Sequence, residues 1–135
     1  VDTAEHQKKL YFLRINGDSP LIDPDIIDKA ISIFEKNKSY HLISNVFPRT
    51  FPKGQSVEII RTKILKKHLK HMNKIEKEHV TQYFYKNSDI FLIKNFANKK
   101  KNKFIKTAID SKRDLVNILR NIKKNEFENY SISKS

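Results

Sequence analysis

Short apolar runs that alternate with segments of helical period leave this chain few ways to fold. "KKLYFLRI" (8–15) reads as a buried strand stopped by Asn16-Gly17. "DPDIIDKAISIFEKN" then reads as a helix. Asp23 can cap it, Pro24 suits the first helical position, and Asp25 meets the positive end of the dipole. Ile26, Ile27, Ala30, Ile31 and Phe34 recur on its buried face. "YHLISNV" (40–46) is a second strand, "FPRTFPKGQ" (47–55) a loop and "SVEII" (56–60) a third strand. Helices are expected over 61–72 and 75–87, strands over 89–96 and 104–109, and a closing helix over 111–124. Strands alternating with helices define an α/β fold. At 135 residues it is a single domain, with residues 125–135 expected as a polar tail.

Charge and composition exclude several classes. The net charge of +13 raises the question of a nucleic-acid surface. The lysines are spread over helices and loops, however, and accompany abundant isoleucine and asparagine with scarce arginine, as an AT-rich coding sequence favours. The tightest cluster, "NKKKNKFIK" (98–106), is expected to be a mobile connection with Phe104 turned into the core. No apolar run is long enough for a membrane span, and the N-terminal residues do not resemble a secretory signal. The lack of cysteine excludes disulfides and fits a reducing, cytoplasmic setting.

Only two glycines occur, Gly17 and Gly54, each in a loop following a strand. A chain so poor in glycine is expected to keep it where backbone geometry or close approach demands it. Ligands of open α/β sheets bind at the carboxyl ends of strands. The two loops "NGDSPL" and "PRTFPKGQSVE" are therefore the site candidates. Read from the residues alone, Asp18 is a turn residue bonded to its own backbone rather than a ligand, and Ser111 with Asp114 has nearly the spacing of a capping box. Glu58 on an apolar strand has to be paired or to face a site. His68 and His71, at i and i+3, lack a third ligand, and His79 reads as structural. Tyr83, Phe84 and Tyr85 read as core.

"RINGDSPLIDPDIIDKAI", "ISNVFPRTFPKGQSVEII", "EKEHVTQYFYKN" and "AIDSKRDLVNI" occur in that order. Together they resemble the C-terminal part of the cytidylyltransferases that activate acidic sugars. The nearest likeness is to the spore-coat polysaccharide F type, kin to the CMP-sialic acid and CMP-Kdo synthetases. The resemblance implies a nucleotide-diphosphosugar transferase-like sandwich with a mostly parallel sheet. It makes residues 1–124 a partial cytidylyltransferase domain. The implied reaction moves a cytidylyl group from CTP to an acidic sugar and releases pyrophosphate, in surface polysaccharide or glycan synthesis. The implied cofactor is Mg2+, with Asp18 and Asp110 matching the family's metal ligands, although Lys112 stands where relatives carry proline. Arg49, Gly54, Gln55 and Glu58 match the sugar-side loop, with Lys53 beside them. Partners are CTP and the sugar, with a homodimer allowed and nucleic acid not expected. Two carboxylates sharing Mg2+, at ~2.1 Å and right angles, bring oxygens roughly 3 Å apart, so the fold must join two strand ends. The family's basic, glycine-containing CTP loop has no match in "VDTAEHQKK", so catalysis is not expected from the chain alone. The alternative is a non-catalytic basic module that binds nucleic acid or another polyanion.

Overall fold

The computed structural model describes residues 8–99 and 108–132, with side chains through 122. The elements are β1 (Tyr11–Arg14), α1 (Pro24–Lys36), β2 (Leu42–Ser44), β3 (Glu58–Arg61), α2 (Thr62–Leu69), α3 (Lys74–Glu78), α4 (Val80–Lys86), β4 (Ile93–Asn95) and α5 (Lys112–Ile132). The strands form one sheet in the order β1-β3-β2-β4. β3 is antiparallel to both β1 and β2, and β2 is parallel to β4. The expectation of a mostly parallel sheet is therefore corrected for adjacent strands. β1, β2 and β4 do share one direction, but β3 lies between two of them and runs the other way. The reason is the connection. A parallel return needs a crossover, usually helical. The segment from Asn45 to Val57 contains no helix, whereas β2 and β4 are separated by β3 and three helices.

Strand alternation sorts the side chains onto two faces. Leu13, Ile59 and Ile43 are register partners and meet Ile26, Ala30 and Phe34 of α1. Ile27 and Ile31 pack partly buried on this cluster, as the helical period predicts. Phe12, Ile60, Leu42 and Ile93 align on the opposite face, with Leu65, Met72, Phe84 and Phe91 packed over them. The result is α1, sheet, and α2–α4 in three layers.

Local rules fix the helix ends. Asp23 accepts from the Asp25 N–H at 2.9 Å, Pro24 occupies the first turn, and the Asn37 N–H closes α1 on the Ile33 carbonyl. The single helix expected over 75–87 is instead two, broken at His79, whose backbone leaves the helical region at φ −118° and ψ 62°. Asn73 and Glu76 form a reciprocal capping box that starts α3. α5 continues past Lys124 to Ile132, where a polar tail was expected. Residues 104–107 of the expected fifth strand, together with Phe104 and the lysines at 100, 101 and 103, lie outside the described residues. Ala108 and Ile109 are not in a strand. No helix among the described residues is long and apolar enough to cross a membrane.

Phe84 is fully buried, its ring centroid 4.6 Å from that of Phe91. Phe84→Ala is expected to cost about 3–5 kcal/mol, the usual range for deleting a buried ring. Urea unfolding measures this directly, and a loss under about 1 kcal/mol would show that α4 does not dock as described.

Candidate functional site

One row of register partners crosses the end of the sheet: Arg14, Glu58, Ser44 and Asn95. These residues share the face of α2–α4, one step beyond its apolar row. Glu58 is 3% exposed. Arg14 Nη1 donates to its Oε2 at 2.8 Å, and the Tyr85 hydroxyl, reaching in from α4, donates to Oε1. The donor order then follows. With its own proton committed to Glu58, the Tyr85 oxygen accepts from the Ser44 hydroxyl at 2.7 Å, and Ser44 Oγ accepts from the Val46 N–H at 3.1 Å. The Phe47 ring stacks on Tyr85 at 4.7 Å and roofs the network from solvent. Burial, and then the Glu58 carboxylate with its hydrogen bond, push the Tyr85 phenol far above its ordinary value. Asn95 holds the same loop, accepting from the Phe47 N–H and donating to the Pro48 carbonyl.

The loop between β2 and β3 is fastened by two amides. Asn45, wholly buried, donates to the Gln55 carbonyl at 2.6 Å and accepts from the Val57 N–H at 2.9 Å. Gln55 donates to the Leu21 carbonyl and accepts from the Asp23 N–H, both at 2.8 Å. Gln55 was expected to touch the sugar. It is buried instead, with its carboxamide spent at both ends on the neighbouring loop, so it positions that loop. Gly54 is likewise buried. It has φ 93° in a turn closed by Gln55 N–H to Pro52 O, a conformation that L side chains rarely adopt. Gly17 differs. Its backbone is not left-handed, and a Cβ there would meet nothing within 4 Å, so the fold itself does not require glycine. Glu58 belongs to the buried network and not to an exposed sugar face. Of the four sugar-side residues, only Arg49 is exposed, its Nη1 donating to Ser56 Oγ at 3.1 Å.

Asp18 stands exposed on the turn after β1, where the Ser19 N–H donates to the Asn16 carbonyl. Ser19 Oγ donates to Asp18 Oδ1 at 3.3 Å. From far along the chain, the Ile109 N–H donates to the Asp18 carbonyl at 3.1 Å. That bond sets the segment containing Asp110 alongside the turn containing Asp18. Asp114 accepts from both the Ser111 hydroxyl and the Asp110 N–H, while its own N–H donates to Ser111 Oγ. This is the capping arrangement that the S-x-x-D spacing predicts. Among the described residues, no three His, Asp or Glu side chains cluster as a metal site. His68 packs edge-on against Phe91 at 4.9 Å and has Nδ1 3.3 Å from the Tyr83 hydroxyl.

Sequence reasoning missed Tyr85, Asn45 and Arg14. Tyr85 falls in an aromatic run that reads as core, and its ring is indeed packed; only the hydroxyl enters the polar network. The available signal was the lone acid of β3, which demands a donor from a neighbouring element.

A mixed sheet with helices on both faces, in which β1, β2 and β4 share one direction, makes an α/β fold of nucleotidyltransferase type. The cytidylyltransferase family model matches residues 1–132, and the chain belongs to that family. Protein MJ1063 of Methanocaldococcus jannaschii is 31% identical over 98 residues, covering 69% of this chain and 39% of the relative. A cytidylyltransferase of Leptospira borgpetersenii superposes with a TM-score of 0.79 at 26% identity, over 93% of this chain and 60% of that one. The chain thus spans less than two thirds of either.

The network makes two predictions. Tyr85→Phe leaves Glu58 short of one donor and is expected to cost about 1–3 kcal/mol in denaturant unfolding. The phenol, raised in the fold above its ordinary 10.0, stays protonated when an unfolded tyrosine would ionise. Above pH 10 the unfolded chain therefore holds fewer protons, and stability falls as pH rises. In Tyr85→Phe this alkaline loss is expected to shrink. An identical alkaline profile in the variant would remove Tyr85 as its source.

Proposed function

We propose that this chain forms the metal- and sugar-handling part of a cytidylyltransferase, acting on CTP and an acidic sugar for surface glycan synthesis, in the manner of the spore-coat polysaccharide F type. The observation that carries the reading is the Ile109 to Asp18 backbone bond, because it joins the two motifs that resemble the family's metal-binding segments. Hard carboxylate oxygens suit Mg2+. Asp18, exposed and with open space beside Gly17, and Asp110 would hold the ion. When bound, Mg2+ neutralises charge on the attacked phosphate and the departing pyrophosphate.

The chain's own residues do the rest. The Asn16–Ser19 turn presents Asp18 at the strand end. Gln55 keeps the second loop locked to the first, so a sugar held on one is fixed relative to a phosphate held on the other. The Arg49 guanidinium, exposed on the second loop, is suited to the sugar carboxylate, since its planar fork matches two oxygens. The Glu58 network stays charge-balanced beneath this loop and supports its base through Ser44 and Val46.

Metal binding is tested on the chain itself. Mn2+ added at substoichiometric levels is expected to broaden the amide resonances of Asp18, Ile109 and Asp110 first, and Asp18→Asn is expected to abolish this. Broadening centred elsewhere would reject the two-aspartate site. On the complete polypeptide, pyrophosphate release from CTP with a panel of acidic sugars tests the chemistry. Asp18→Asn is expected to lower kcat on the order of 10²-fold, by analogy with loss of one transition-state stabilising group. Asp114→Asn is expected to lose ~1 kcal/mol of stability with little effect on turnover.

A further inference from the structure

Two guanidinium groups are tied to the start of β3, and they differ in what they have left to give. Arg14 closes β1 and donates through Nη1 to Glu58 Oε2 at 2.8 Å. An arginine that meets a free carboxylate often bonds it as a fork, through two parallel bonds. That arrangement is blocked here, because the Tyr85 hydroxyl occupies Glu58 Oε1. The Arg14 side chain is 30% exposed, against 4% for that of Glu58. Its Nε and Nη2 have no hydrogen-bond partner among the described residues, and neither is buried. Arg14 therefore keeps accessible donors while its charge is balanced by Glu58.

Arg49 is the opposite case. Its Nη1 donates to the neutral Ser56 hydroxyl at 3.1 Å, and it makes no ion pair among the described residues. Its charge is unspent. A backbone bridge between Val46 and Arg49 closes the turn that carries it. Ser56 and Glu58 are two residues apart, about 7 Å at ~3.4 Å per residue. Val57 and Ile59 both enter the α1 layer, so strand alternation runs through this stretch and sets Ser56 on the side of Glu58. The two guanidinium groups are thus anchored to neighbouring positions on one face of β3, at the end of the sheet where the turn of Asp18 lies.

We infer that Arg14 and Arg49 together read an acidic sugar, with Arg49 taking its carboxylate and Arg14 taking a pair of adjacent, uncharged hydroxyls. The inference rests on the proposed reading that these loops handle the sugar, and it adds Arg14 as a specificity-determining residue. The division follows from charge. A carboxylate brought to Arg14 would share that cation with Glu58 and meet a like charge close behind it. A hydroxyl meets no such repulsion, and two of them accept from the planar edge formed by Nε and Nη2. Tyr85 is a positioning residue in this scheme. By holding Glu58 Oε1 it keeps Arg14 from closing on the carboxylate with both nitrogens.

The Nε–Hε resonances of Arg14 and Arg49 report each contact on the chain as it stands, in buffer with EDTA and no metal. Three probes divide the chemistry: glucuronate carries hydroxyls and a carboxylate, glucose the hydroxyls alone, and acetate the carboxylate alone. The Arg14 signal is expected to shift saturably with glucuronate and glucose and to stay in place with acetate. The Arg49 signal is expected to follow glucuronate and acetate. Added salt is expected to weaken the Arg49 response and to leave the response of Arg14 to glucose unchanged. Arg14→Lys keeps the charge and one donor for Glu58 but has no second edge. It is expected to weaken glucuronate about tenfold, the worth of one hydrogen bond to a charged group, with little change in the urea midpoint. In Tyr85→Phe the Arg14 response to glucose is expected to shrink while Arg49 still follows acetate; an undiminished Arg14 response would remove Tyr85 from the positioning role. Should Arg14→Lys fail to fold, the wild-type Arg14 response to glucose and acetate decides. An Arg14 signal that follows acetate or moves with neither sugar, or a glucuronate affinity indifferent to Arg14→Lys, would overturn the assignment. Since no metal is present, that failure leaves the two-aspartate site to be judged by Mn2+ broadening alone.

Discussion

The segment from Asn45 to Val57 contains no helix, and much of the molecule follows from that constraint. Without a helical crossover the chain turns straight back, so β3 enters the sheet against its neighbours. β1, β2 and β4 then deliver their following loops to one end, and β3 begins there. The turn after β1, the long loop after β2 and residues 96–99 after β4 thus lie at one end of the sheet. Burial on both faces, by α1 on one side and α2–α4 on the other, supplies the rigidity.

Convergence alone does not make a site; the loops must hold fixed positions relative to one another. Two carboxamides do this. Asn45 bonds the base of its loop through Gln55 O and the Val57 N–H, and Gln55 passes the constraint to Leu21 and Asp23. A buried amide with every group matched is costly to displace. The loop that carries Asp18 is therefore tied at one side to the β2–β3 loop and at the other to the Ile109 segment.

The sheet direction was misjudged for a physical reason. Alternation of strand and helix argues for parallel pairing only when every connection has a helix, and "FPRTFPKGQ" has none. Elements whose identity rests on local pattern, such as α1 with Asp23, Pro24 and its apolar stripe, were readable residue by residue. So was the Ser111–Asp114 cap. The roles of Gln55 and Tyr85 were not, because their partners are set by tertiary contact: Gln55 reaches residues 34 and 32 positions away, and Tyr85 reaches Glu58 27 positions away. Periodicity marks a buried position but not the partner of its polar tip. The break at His79 was hidden by the good helical pattern on both sides, although Asn73 and Glu76 have the spacing of a capping box.

Glu58 also acts as an index mark for strand alignment. Side chains alternate across a strand, so a slip of one residue would carry each of them to the opposite face. Glu58 would then enter the layer of Ile26, Ala30 and Phe34, where a carboxylate has no donor and its burial costs several kcal/mol. A slip of two would keep the face but take Glu58 away from the row that holds Arg14 and Ser44. The ion pair itself contributes little net energy once desolvation is counted. What the pair does is penalise other alignments, since each of them parts the Glu58 carboxylate from Arg14 and the Tyr85 hydroxyl.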